Sequence, residues 1–471
     1  MNHVRIIMLL TTICTAAYGS FLSRVDPAPL FTTANMIGNY TNFGHCESEY
    51  HVRFNATPFR QNAYQAYKYN DHNAAAIWSA SSETIDNNLC QIGDMYGPWN
   101  YLGLFYTQNV RDKFLTDPLK ILFDTSSAFA DSKIAKKYAD PKYADIAQKI
   151  GFLSVPMEFR SYGLRLEADV ITPLGLGLSG KISIGQRQQI PSFTDLTKIA
   201  NTGTDFTAAD KTAISGLIFD RLSPVTETCG LSIRPYCEDA IDQGIFSLFF
   251  VKSFDCFPAS DSKYSSFVCT PFIGLDWLPA LHEINPANLI AVNLGTNGHT
   301  GYGFHTGVTF NFLETIEIGF DLAPTWFSKR TYCNAPMPTS AKQIGLYPTK
   351  ADYTLEPGSN WTFGASMAAF NFTQLFSASC EIRYVHHCKD CIHLISAQTF
   401  PDKNVAQSEI TTLLLPEILE DRSGWSSCFA NLGVNLNICD GFQLGLACQL
   451  PLRMRNAYYS TTVLGSLAIT Y

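Results

Sequence analysis

The sequence predicts an all-β fold, a closed antiparallel transmembrane β-barrel of about 14 strands within a range of 12 to 16. Three observations lead there. Apolar residues recur at a two-residue period in segment after segment, as in Phe442, Leu444, Leu446, Cys448 and Leu450. The alternating segments run about 10 to 13 residues, longer than the ~5–6 of soluble strands and matched to the ~9–11 of a tilted spanning strand. The connections also alternate, with short turns at one end and long loops at the other.

The segments fall approximately at 47–55, 98–108, 119–129, 158–171, 174–186, 245–256, 265–278, 300–312, 315–327, 359–370, 374–387, 424–436, 441–452 and 459–471. Their even number places both ends of the barrel on the short-turn side. Alternation is clear in Tyr162, Leu164, Leu166 and Val170 against Gly163, Arg165, Glu167 and Asp169. It is equally clear in Ile316, Ile318, Phe320 and Leu322 against Glu317, Gly319 and Asp321. Segments two, three, six and seven are weaker. Ile245 to Val251 hardly alternates, and Pro271 interrupts its strand. Tight turns are expected near 171–174, 312–315, 370–374 and 437–441, and long loops at 187–244, 279–299, 328–358 and 388–423.

Composition agrees. Charged residues make up 16% of the 471 and aromatics 13%, a mixture too apolar for a disordered chain. Past residue 20 no apolar run approaches the ~20 residues of a spanning helix. A net charge of −8 without a dominant basic block argues against a nucleic-acid partner.

The N-terminus reads as an address. Arg5, the apolar stretch from Ile6, and the small residues Ala17 and Gly19 before Ser20 form a secretory signal peptide over 1–19. Residues 20–46 are then an N-terminal periplasmic or plug segment, and 47–471 the barrel. Of 14 cysteines, removal of Cys14 leaves an odd number. Cys229 with Cys237 and Cys388 with Cys391 are candidate local disulfides in an oxidising compartment. The run His386-His387-Cys388-Lys389-Asp390-Cys391-Ile392-His393 has the look of a zinc site, but it lies where a strand meets a loop, so disulfides or free thiols are preferred to metal.

At its end the chain carries a more specific pattern. Tyr471 is the final residue, preceded on one face by Ile469, Leu467, Val463 and Tyr459. This closing strand is similar to the assembly signal of bacterial outer-membrane β-barrel proteins, a porin-like class. The resemblance implies insertion by the barrel assembly machinery, with Tyr471, Ile469 and Leu467 as the signal. It also implies a bacterial outer-membrane location among lipid and lipopolysaccharide.

Other motifs carry no chemistry of their own. Gly175-Leu176-Gly177-Leu178-Ser179-Gly180 fits G-x-G-x-x-G, but the alternation runs on through Ile182 and Ile184 where a dinucleotide site needs a helix, and its glycines read as small lumen positions. His282-Glu283 lacks a second zincin histidine. His51, His305, His386, His387 and His393 are scattered, with no local nucleophile beside them, so no catalytic residue, cofactor or metal is expected. Two features belong to loops. Thr207 to Asp210 resembles a capping box ahead of Ile214, Leu217, Ile218 and Leu222, which predicts a helix over the pore mouth or in the lumen. Lys133, Lys136, Lys137, Lys142 and Lys149 form a basic cluster on the outer side.

On this facing Arg165, Glu167, Asp169, Lys181, His305, Glu317, Asp321, Glu381 and Arg383 point into the lumen, because charge on the lipid face costs roughly 2–4 kcal/mol at the midplane for Arg or Lys. A lumen with both signs of charge suits a porin-like channel for passive diffusion of small solutes or ions. Five carboxylates against three cations predict a weak cation preference. Two other readings stand beside it. Fourteen strands with an N-terminal plug look like the fatty-acid transporter family, though no motif of that family is present. A structural or adhesive envelope barrel, stapled by cysteines and closed by ion pairs, is the third. Association into a homo-oligomer stays open.

Overall fold

The computed structural model describes residues 50–67, 89–101, 151–196, 208–228, 230–256, 267–282, 287–292, 295–312, 315–339, 343–347, 349–373, 376–399, 414–439 and 441–471. Twelve antiparallel strands close into a barrel. In chain order they are β1 (His51–Tyr67), β2 (Met157–Ile171), β3 (Leu176–Pro191), β4 (Tyr236–Val251), β5 (Phe267–Leu278) and β6 (Gly301–Phe312). They continue with β7 (Ile316–Phe327), β8 (Asn360–Thr373), β9 (Phe376–His387), β10 (Trp425–Cys439), β11 (Phe442–Arg455) and β12 (Tyr458–Thr470). Each pairs with its chain neighbour, and β1 pairs with β12 from Arg53↔Thr470 to Ala66↔Tyr458. Closure leaves no barrel strand with an unpaired long edge, the condition lipid imposes on a sheet.

The count is therefore twelve rather than fourteen. Of the predicted second segment, Trp99–Asn100 pairs with Phe152–Ser154 in a small separate sheet, and residues 102–108 lie outside the described residues, as does the third segment. The wall closes without either, because β1 pairs directly with β2 from His51↔Ile171 to Ala63↔Phe159. β1 also runs well past residue 55. Arg60 and Asn62 on its outer face hide the alternation that Asn55, Thr57, Phe59 and Gln61 keep on the inner one.

Two weak spots of the sequence prove to be strand. Pro271 sits within β5. The β4 ladder ends at Val251↔Phe272, so the missing N–H removes no rung, and the Pro271 carbonyl accepts from the Lys252 N–H at 3.3 Å. In β4 a bulge breaks the parity. Ser183 pairs with Gln243 and Ile184 with Ile241, leaving Asp242 as the extra residue.

Burial along the strands is inverted relative to a soluble protein. Inward positions such as Arg165, Lys181, Glu317, Glu381 and Arg383 are buried. Outward ones such as Leu178, Leu275, Phe320, Met367, Val434 and Leu446 are exposed. Exposed Tyr302 and Phe312 bound this band on β6. Ten residues of strand at ~3.4 Å each, tilted by ~40°, set them about 25 Å apart in height, the thickness of an outer-membrane apolar band. No helix among the described residues is long and apolar enough to cross a membrane.

The short-turn end carries the β2–β3, β6–β7, β8–β9 and β10–β11 turns, and Gly175 and Gly441 supply the positive φ that two of them require. At the other end the long loops fold. Strands Arg330–Met337, Thr349–Glu356 and Cys391–Thr399 form a three-stranded sheet, against which α2 (Pro416–Ser423) packs Leu419. The predicted loop helix is α1 (Ala208–Thr228).

A charged lumen beneath a loop cap

The lumen is built by period two. In β2 the inward set includes Ser161, Arg165, Glu167 and Asp169, and in β3 Ser179, Lys181, Ser183 and Arg187. All nine charged or titratable residues expected in the lumen lie on this inner face. Four more join them: Arg53, Arg187, Asp242 and Asp276. Arg53 and Asp276 were legible, since each alternates with outward Phe54 or with Leu275 and Trp277. Arg187 lies one residue past the predicted strand end. Asp242 was hidden by its bulge.

The side chains bond into networks. The Arg383 guanidinium donates to both Asp321 oxygens, at 3.0 and 3.1 Å, and its Nε donates to Glu381 at 2.9 Å. Asn431 donates to Glu381 at 2.8 Å, Gln449 to Asn431 at 2.9 Å and Thr462 to Gln449 at 3.3 Å. These residues share one register row, which continues through Gln61 and Ser161 to Arg187. The wall therefore carries a belt of polar groups from β9 round to β3.

Opposite, Asp276 meets His305 Nδ1 at 2.9 Å and accepts from Ser247. The His305 ring lies over Gly274, where an added Cβ would stand 2.3 Å from its Cε1. One Arg187 nitrogen donates to both oxygens of Asp242 at 2.7 Å, and Asp242 also accepts the Gly295 N–H of the β5–β6 loop at 2.9 Å. That loop is thus tied into the lumen. Arg53 stands 3.8 Å from Asp169, Asn55 donates to Glu167 at 3.3 Å, and Arg165 stacks 4.6 Å over the Phe59 ring. Seven carboxylates face five cations, so the formal excess of two negative charges persists over the enlarged set. Glu317, Glu381 and Arg165 are each 1% exposed, so the lumen at this level is a packed polar layer rather than a wide bore.

Above it lies an apolar cap. Trp99, Tyr101, Leu153, Leu222 of α1, Ile290 and Leu346 pack into one buried cluster with Phe159 and Met157 at the loop-side end of β2. The cap is cross-tied. Tyr96 donates to the Arg422 carbonyl at 2.9 Å, and the Arg422 guanidinium lies 5.2 Å over the Tyr96 ring. In the adjoining loops His299 is fully buried. Its Nδ1 donates to the Ser328 carbonyl at 2.8 Å, and the Tyr332 hydroxyl sits 2.7 Å from Nε2. Burial lowers its pKa below the ordinary histidine value.

The His386–His393 run divides instead of converging. His387 is buried between Asn360 (2.6 Å) and Asp390 (2.9 Å), stacked on Trp425. Cys391 and His393 face out on the rim sheet. Among the described residues no group of three or more ligands could hold a metal. Of the two readings, disulfide or free thiol, the structure has free thiols at Cys237, Cys388 and Cys391, so Cys388 and Cys391 are not bridged, and Cys229 lies outside the described residues. Cys388 accepts from Ser359 while Cys391 lies beside His393, with buried Asp390 between them in sequence. Of the G-x-G-x-x-G glycines, only Gly177 faces the lumen, where Phe249 fills its place. Gly175 makes the turn, and Gly180 lies outward beside Phe246. The signal peptide, the 20–46 segment and the Lys133–Lys149 cluster lie outside the described residues.

Solved structures of similar fold are outer-membrane barrels. An outer-membrane channel from Pseudomonas putida F1 aligns with 91% of this chain and 98% of its own, at 8% identity and a TM-score of 0.44. The NanC porin aligns over 66% and 93%, at 6% identity and 0.29. A FadL homologue from Pseudomonas aeruginosa aligns over 97% and 99%, at 8% identity and 0.29. No protein-family model and no curated protein matches the chain.

Proposed function

We propose that the protein is a bacterial outer-membrane barrel acting as a porin-like channel for small solutes or ions, exported by its signal peptide and inserted by the barrel assembly machinery. The observation that carries this reading is the inverted wall, apolar outside and lined inside by buried charges of both signs. Such charges are costly next to lipid and useful beside a narrow aqueous path, where they order water and filter solutes. The packed polar layer makes the conducting path narrow. Planar-bilayer recording tests the proposal: small, weakly cation-selective conductance is expected, with and without reductant.

A second reading has its own observation. The buried pairs Arg383–Asp321 and Arg187–Asp242 would equally close the lumen of a structural envelope barrel. Absence of any conductance from folded protein would decide for it.

A further inference from the structure

The two halves of the loop-side rim differ in outward chemistry. From β5 to β8 the outward positions are Trp277, Tyr302, Trp326 and Trp361, with Trp326 and Trp361 in edge contact at 6.4 Å. From β11 to β2 they include arginines. Arg453 and Arg455 end β11, Arg60 lies on β1 and Arg160 on β2, all four exposed. Tyrosines accompany them. Arg60 is flanked across the ladder by Val463 and Tyr162, Tyr64 lies beside Arg160, and Tyr459 follows the Asn456–Ala457 turn after Arg455.

Only Arg160 has a carboxylate partner, Glu158, at 2.6 Å. Arg60, Arg453 and Arg455 have no ion-pair partner among the described residues. On the same outer face lie exposed Leu164, Leu450 and Leu452 below them and exposed Val463 level with Arg60. An unpaired guanidinium at the edge of an apolar belt is unfavourable unless an anion meets it. Phosphate is the anion its planar fork fits bidentately.

From this patch we infer a binding site for a phosphate-bearing glycolipid of the outer leaflet, its phosphates on Arg60, Arg453 and Arg455 and its acyl chains on the adjoining leucine and valine surface. The inference rests on the membrane reading of the barrel. One amphipathic molecule satisfies both surfaces: the charge matches the phosphates, and the apolar area continues the lipid-facing belt. Among the described residues the outward strand positions of the Trp/Tyr half carry no arginine or lysine, and that half suits ordinary interfacial lipid.

The test compares the folded, heat-modifiable wild-type barrel with the R60Q/R453Q/R455Q variant in detergent. Each is titrated with phosphorylated lipid A, dephosphorylated lipid A and phosphatidylglycerol, and adducts are counted by native mass spectrometry. Wild type should bind phosphorylated lipid A about tenfold or more tightly than the variant does, a difference of about 1.4 kcal/mol. It should also prefer that lipid to the other two. Equal binding by the variant would overturn the site. Equal binding of dephosphorylated lipid A would reduce it to acyl contact, and equal binding of phosphatidylglycerol to a generic anionic headgroup; either overturns the glycolipid assignment. Arginine-dependent dimers in place of lipid adducts would reassign the patch to a second copy of the chain. A wild-type chain that stays monomeric and soluble without detergent would instead remove the membrane reading itself.

Discussion

Arg383 reaches Asp321 across the bare backbone of Gly364, which is the register partner of both residues. A Cβ at Gly364 would fall 2.0 Å from Asp321 Oδ1 and 2.9 Å from the Arg383 guanidinium. Glycine at this place in β8 is what lets two strands separated by a third share an ion pair.

Gly364→Val should therefore destabilise the barrel by roughly 1–3 kcal/mol, through displacement of a buried pair that keeps one partner in Glu381. Urea unfolding in lipid vesicles measures it. A Gly364→Val barrel with an unchanged midpoint would mean the Asp321–Arg383 contact contributes nothing.

Asp321→Asn removes one carboxylate from an excess of two and leaves Arg383 with Glu381 alone. Lumen charges act where screening is incomplete, so the reversal potential in a salt gradient should move toward anions. Glu317→Lys together with Asp321→Lys should reduce or invert the cation preference. If the reversal potential of the folded double variant does not move, neither residue lines the ion path.

Deletion of Tyr471 should lower the yield of folded barrel several-fold. Its N–H donates to the Val52 carbonyl at 2.8 Å and its carbonyl accepts from the Val52 N–H at 3.0 Å, so it forms a closing rung between β12 and β1 as well as the terminal aromatic. The heat-modifiable fraction in membranes reports the effect, with deletion of an exposed loop residue as control. Equal fractions would take away the assembly role.

His299 should make the loop layer sensitive to acid. Its pKa in the folded protein lies below that of the unfolded chain, so the unfolded state binds more protons between the two values. The stabilisation is fully present above the ordinary histidine value of ~6.5 and is lost as pH falls toward the lowered one. Proteolysis around residues 299–332 should quicken between pH 7.5 and 5, and His299→Gln should flatten that dependence. An equal acid response in His299→Gln would place the sensitivity elsewhere.

The period-two pattern determined the barrel, the facing of its lumen charges and the disposition of its long loops, because a wall wet on one side and greasy on the other writes its geometry into alternate residues. Leu444, Leu446 and Leu450 outward with Gln449 inward needed no coordinates. Only the tertiary structure decided the strand count, because the segments at 98–108 and 119–129 have wall-like composition and register alone shows that β1 pairs with β2 past them. It also decided the partners. That Asp242 turns inward depends on a bulge, and that Asp321 finds Arg383 depends on a glycine on the strand between them, a contact 62 residues apart in the chain that no local period encodes.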